Sequence, residues 1–143
     1  MEKEDVDLLV KDLYARIPYG VVVRIDRADG EPLDAKVRSI IKLKFPNTVM
    51  ILAEDPNSPE YISVAEGDIV KPYLRPESSM TEAEREEVKD YLKNSIEGKL
   101  IGVKGRTIWL VDWLNEHHID YRGLVGKGLA IEAPDGMYGF GNK

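Results

Sequence analysis

The sequence predicts an α+β protein: a small SH3-like β-barrel, or alternatively an antiparallel meander, preceded by a helix and followed by a C-terminal two-helix α/β portion. Three observations predict this. Short β-branched segments with tight punctuation fill Gly20 to Val64, an amphipathic segment precedes them, and Thr81 with Glu84 stands in capping-box spacing after them. The implied organisation is an N-terminal helix over 1–16, a barrel over 17–76, and a helical α/β portion over 77–143 packed on the barrel.

From Asp5 to Arg16, the residues Val6, Leu9, Val10, Leu13 and Tyr14 recur at three- and four-residue spacing, which gives a helix one apolar face. Pro18 stops it. The segment Tyr19 to Asp26 is β-branched and runs into an Asp-Gly turn at Asp29 and Gly30. From Lys36 to Phe45 strict alternation puts Val37, Ser39, Ile41, Leu43 and Phe45 on one face and Lys36, Arg38, Ile40, Lys42 and Lys44 on the other. Val37, Ile41, Leu43, Val49, Ile51 and Ile62 are therefore expected to point inward, with the basic residues in water. Ala65 to Pro76 reads as one tight helical turn and a proline-restrained extended exit. There Tyr73, Leu74 and Met80 are apolar anchors, and Arg75 can donate to carbonyls that the prolines leave unpaired.

Thr81 is expected to cap a helix that ends near Glu97 or Gly98, with Val88, Leu92 and Ile96 inward. Lys99 to Lys104 reads as a strand, and Thr107 as the cap of a further helix reaching about His117. Gly123, Gly126 and Gly128 mark turns at positive φ, the segment from Leu129 to Ala133 is extended, and Pro134 to Lys143 is a frayed tail.

Composition limits what the protein can do. A net charge of −6 opposes general polyanion binding, and the 32% charged residues are mixed in sign. The absence of cysteine removes disulfides, thiolate metal sites and cysteine nucleophiles. No apolar run reaches the roughly 20 residues of a membrane helix, and the acidic start does not read as a secretory signal, so a cytoplasmic location is expected.

Both histidines and both tryptophans fall between Trp109 and His118. His117 and His118 are adjacent, so on a helix they project about 100° apart and cannot grip one ion from that face. They are expected to serve structure, one of them meeting carbonyls at a helix C-terminus. His117, His118, Asp120, Tyr121 and Arg122 remain the candidates for a ligand or interaction site, because a carboxylate, a phenol and a guanidinium in succession can orient an anion. Lys36, Arg38, Lys42 and Lys44 form a stripe with steps of about 7 Å, the candidate track for nucleic acid, though without interleaved aromatics. The glycines of Gly123 to Gly128 do not match a phosphate-cradling order. No catalytic constellation, metal site or cofactor is predicted.

Three islands, Leu13 to Val23, Ile69 to Glu84 and Asp112 to Ala133, together resemble a family of small uncharacterised proteins of gut Bacteroidetes and their phages or mobile elements. The resemblance implies an intracellular product of a bacterial host cell with an accessory, regulatory or host-interaction role, and brings no activity or cofactor. The expected function is a non-enzymatic protein-interaction or regulatory module with a protein partner as yet unidentified. The alternatives are a nucleic-acid-binding module using the Lys36 to Lys44 stripe, and a small hydrolase or ligand-binding protein using the His118, Asp120 and Arg122 region.

Overall fold

The computed structural model describes residues 3–27, 30–42, 49–54, 61–63, 69–94 and 102–139, with side chains described at 4–27, 30–40, 69–92 and 108–139. The chain divides into two compact units. One comprises Met1–Tyr73 and Arg122–Ile131, the other Leu74–Tyr121 and Glu132–Lys143.

The first unit opens with helix α1, Lys3–Arg16, whose acidic first turn and basic last turn complement the helix dipole. Leu9, Val10 and Leu13 are buried from its apolar face, with Val6 partly so. They pack against Val21, Val23, Ile25, Ala35, Val37, Ile40 and Val70 of the sheet. Each large aliphatic taken from water contributes about 1.5–3 kcal/mol, so this layer is the main stabilising element of the unit. Tyr14, expected on the inward face, is instead half exposed; its ring lies at the edge and its hydroxyl donates to the Ile40 carbonyl at 2.8 Å.

The sheet contains β1 (Val22–Asp26), β2 (Leu33–Lys42), β3 (Val49–Glu54), β4 (Tyr61–Ser63), β5 (Ile69–Leu74) and β6 (Ile131–Glu132), in the order β4-β3-β2-β1-β5-β6. The pairs β1–β2, β2–β3, β3–β4 and β1–β5 are antiparallel. The sheet is open, with β4 and β6 at its ends, so the expected closed barrel does not form among the described residues. The first four strands follow the alternative, a meander carrying the N-terminal helix. Pro72 is tolerated within β5 because β6 is only two residues long and leaves most of that edge without a ladder.

A bulge corrects the expected alternation along β2. Val37 pairs with Ala53 but Ser39 pairs with Leu52, which leaves Arg38 as the extra residue. Ala35 and Val37 are buried, and the inward sequence resumes at Ile40 rather than Ser39. Ile40 therefore leaves the face it was assigned with the lysines, as a one-residue register shift requires. Lys36 and Arg38 are exposed as expected. Leu43 and Lys44 lie outside the described residues, and the side chains of Ile41, Lys42, Val49, Ile51 and Ile62 lie outside the described side chains.

Two polar residues of α1 are fully buried. Asp12 accepts from Arg16 Nε at 2.9 Å and from Arg16 Nη2 at 3.2 Å, and also from Arg122 Nη1 at 2.8 Å. One carboxylate shared by two guanidiniums thus joins α1 to a segment 110 residues later.

In the second unit, helix α2 spans Glu82–Asn94. Its start is a complete capping box: Glu84 N donates to Thr81 Oγ1 at 3.1 Å, and Thr81 N donates to Glu84 Oε1 at 2.9 Å. Thr81→Ala is expected to cost about 1 kcal/mol in a denaturant titration. Val88 and Leu92 are half buried, while Ile96, Glu97 and Gly98 lie outside the described residues.

Helix α3, Gly102–Glu116, begins five residues before Thr107, so Thr107 is not its cap and the expected strand over Lys99 to Lys104 is helical from Gly102 onward. Gly102 and Gly105 argue locally against a helix at about 1 kcal/mol each. Packing overrides them: Tyr91 of α2 stacks on Trp109 of α3 with centroids 3.8 Å apart. Residues 134–139 are not a frayed tail but two successive turns, closed by Met137 N to the Pro134 carbonyl and Gly139 N to the Gly136 carbonyl. In the first unit Gly123 and Gly128 adopt positive φ of 71° and 74°, as expected, whereas Gly126 does not.

Candidate functional site

Trp109, Trp113 and His117 recur every fourth residue, so α3 carries them as a column on one face. Trp113 and His117 stack with centroids 3.8 Å apart, and His117 Nδ1 donates to the Trp113 carbonyl at 2.8 Å. One histidine thus meets a carbonyl at the helix C-terminus, as the sequence implied. The helix closes in a Schellman motif: Ile119 N donates to the Leu114 carbonyl at 2.9 Å, and His118 N to the Asn115 carbonyl at 3.1 Å. The left-handed position of that motif, where glycine is usual, is His118 at φ 56°. Its ring is buried and stacks on Tyr138 with centroids 3.7 Å apart.

The ring stack holds a backbone conformation that disfavours side chains. His118→Ala is therefore expected to be less stable than His118→Gly by about 1 kcal/mol, since both lose the stack but only glycine relieves the strain. A pair of thermal melts checks this. Wild-type melts with and without chelator should coincide; a chelator-sensitive drop that disappears in the His118 variants would reveal a metal.

The strongest electrostatic feature of the second unit lies at Arg75. Its guanidinium is buried and grips Glu84 with both Nη atoms, at 2.9 and 2.7 Å. It also donates to Ser79 Oγ, the Ser79 carbonyl and the His117 carbonyl at 3.2–3.3 Å. The Arg75 hydrogen bonds hold the Glu84 carboxyl down at about 2, against the opposing effect of burial. Donation to backbone carbonyls was legible in the sequence; the partnership with Glu84 was not, because Glu84 already had a role in the capping box.

The five candidate residues have different partners among the described residues. His117 lies on Trp113 and His118 on Tyr138, while Tyr121 donates its hydroxyl to Asn115 Oδ1 at 2.8 Å. Asp120 contributes a backbone bond from its N to the Arg75 carbonyl at 2.8 Å, beside the bond from Arg75 N to the His118 carbonyl at 2.7 Å. Arg122 belongs to the first unit, where it binds Asp12. Among the described residues no three of the His, Asp and Glu side chains are placed to hold a metal ion.

Of the basic stripe, Lys36 and Arg38 are exposed. Exposed Asp34 precedes them on the same strand and accepts from the Tyr73 hydroxyl at 2.7 Å. Lys36 stands opposite Glu54 in the β2–β3 register. Burial raises the Tyr73 phenol above its ordinary value, and the bond to Asp34 adds to that.

A feature that sequence reasoning missed runs along α2. Met80, Val88 and Leu92, all half buried, form the apolar floor of an open groove of about 580 Å³, with Glu77, Ser78, Arg85 and Lys89 also lining it. This volume lies in the range of ligand-sized clefts. The signal was present in the sequence: Arg85, Val88, Lys89 and Leu92 are i, i+3, i+4 and i+7, a single helical seam of two basic and two apolar residues. A scan against family models and searches of curated proteins and of solved structures found no match to the chain.

Proposed function

We propose that the protein is a non-enzymatic interaction module, an accessory or regulatory component of a phage or mobile element acting by protein contact inside a bacterial host cell. The observation that carries this reading is the contrast between the polar candidates and the α2 groove. Arg75, Glu84, His117, Tyr121 and Arg122 are engaged in bonds within their own units, whereas the groove offers an apolar floor with charged edges to something outside. For the first unit, the SH3-like reading becomes that of a partly open barrel. Its support is that β5 returns to pair with β1, and that the Arg38 bulge supplies the bend by which a ten-residue β2 could serve two sides of such a barrel.

Affinity capture from Bacteroidetes lysate by the purified protein, followed by chemical cross-linking, tests the reading. A protein partner cross-linked to the second unit is the expected result. Turnover of a small molecule with no macromolecule captured would overturn it. A second reading, nucleic-acid contact through β2, draws on the exposure of Lys36 and Arg38. A mobility shift at low salt that is lost in Lys36→Glu plus Arg38→Glu would favour it, and no shift at low salt would end it.

A further inference from the structure

We infer that the α2 groove binds an acidic, amphipathic helical segment of the partner protein, an inference that rests on the interaction-module reading and specifies its site. The charges of α2 are sorted by face. Glu82, Glu86, Glu87 and Asp90 are exposed and do not line the groove, whereas Arg85 and Lys89 do. In a chain of net charge −6, whose second helix is itself rich in acids, this groove gathers two cations against one acid, Glu77, among the described residues.

Arg85 and Lys89 stand four residues apart, where like charges repel and slightly destabilise a helix. Neither side chain forms an ion pair among the described residues, although acids stand elsewhere on the same helix. Between them and one turn beyond, Val88 and Leu92 present half-buried apolar surface. The α2 helix of 13 residues offers a seam of about 20 Å. An amphipathic helix with apolar residues at i, i+3, i+4 and i+7 fills such a groove, and carboxylates flanking its apolar stripe meet Arg85 and Lys89. The opposite sign of peptide would set its own cations against these two, which is how the groove would discriminate.

The test uses the full chain and two synthetic helical peptides of about 18 residues, identical in their leucine stripe but bearing glutamate or lysine on its flanks. Fluorescence anisotropy should show the glutamate peptide binding with an affinity that falls as salt rises, and the lysine peptide binding at least tenfold more weakly. Arg85→Glu plus Lys89→Glu, both at exposed positions, should lower affinity for the glutamate peptide roughly tenfold while circular dichroism shows an unchanged fold. Val88→Ala plus Leu92→Ala should lower affinity for both peptides. Equal binding of the two peptides, retained binding by the charge-reversed variant, or no binding of the glutamate peptide at low salt would overturn the inference. So would an oligonucleotide that displaces the peptide, or self-association in sedimentation that the charge reversal abolishes. A lysate partner captured equally by wild type and the charge-reversed variant would end this inference but leave the interaction-module reading standing, whereas loss of both captures would end the reading itself.

Discussion

Replacing Trp113 by alanine is expected to lower the stability of the second unit by about 3–5 kcal/mol, read as a shift in the midpoint of a denaturant titration with little change in slope. Trp113 is 4% exposed and occupies the centre of an aromatic column, with Trp109 at 6.4 Å on one side and His117 at 3.8 Å on the other. Truncation removes the large buried ring, its stack on His117 and its tilted contact with Trp109 together. Its cost is a large fraction of the whole stability of a domain this size. The indole N–H adds a second, discriminating expectation: Nε1 is buried and finds no acceptor among the described residues. An orphaned buried donor is unfavourable, so Trp113→Phe, which keeps a ring and removes the donor, should change stability by only about 1 kcal/mol in either direction. A loss as large as that of the alanine variant would mean that the indole N–H has a partner after all.

Much of the first unit was legible because its elements obey local rules. The three- and four-residue spacing of Leu9, Val10 and Leu13 fixed the inward face of α1, and the alternation of β2 held as far as Val37. Beyond that point a bulge at Arg38 reversed the faces. Nothing in the alternation of Ser39, Ile40 and Ile41 announces an extra residue, since a bulge is decided by pairing with the partner strand. Open or closed pairing of the sheet is likewise a property of distant edges. The burial of Asp12 and Arg16 was hidden for a related reason: an i, i+4 ion pair on a helix is usually a solvated pair, and this buried one is joined by Arg122, far along the chain.

The second unit separates the legible from the illegible more sharply. The capping box at Thr81 and Glu84 was readable because its partners are three residues apart. The start of α3 is not legible locally because Gly102, Gly105 and the β-branched neighbours have poor helix propensity, and the Tyr91–Trp109 stack that offsets them is a contact between helices. The functional candidates are residues of suitable chemical type that crowd the sequence around His118. The chain turns there through a Schellman motif, and neighbours in sequence take different partners: His118 stacks on Tyr138 while Tyr121 donates to Asn115, pairings that no local spacing encodes. The α2 groove is written in an ordinary helical seam, where the spacing of Val88 and Leu92 is equally that of core residues.

Glu84→Gln is expected to be the most damaging single-atom change in the second unit, costing about 3–5 kcal/mol near neutral pH, because it leaves the buried guanidinium of Arg75 without its counter-charge. Glutamine can still complete the capping box with Thr81, so the variant isolates the charge from the cap. The same pair predicts the acid behaviour of the wild type. Bound to Arg75, the Glu84 carboxyl titrates at about 2 in the folded chain, against an ordinary value of 4.5 when that contact is lost. Folding therefore favours the ionised form, and the stabilisation is fully present above about pH 4.5 and is lost as pH falls toward 2. The difference corresponds to roughly 3 kcal/mol, comparable with the cost of the substitution. Denaturant midpoints measured between pH 7 and 2 should fall steeply below pH 5 for wild type, and the gap to Glu84→Gln should close over the same interval. A constant gap across that range would show that the variant acts through packing or the cap and that the Arg75–Glu84 charge pair does not govern acid stability.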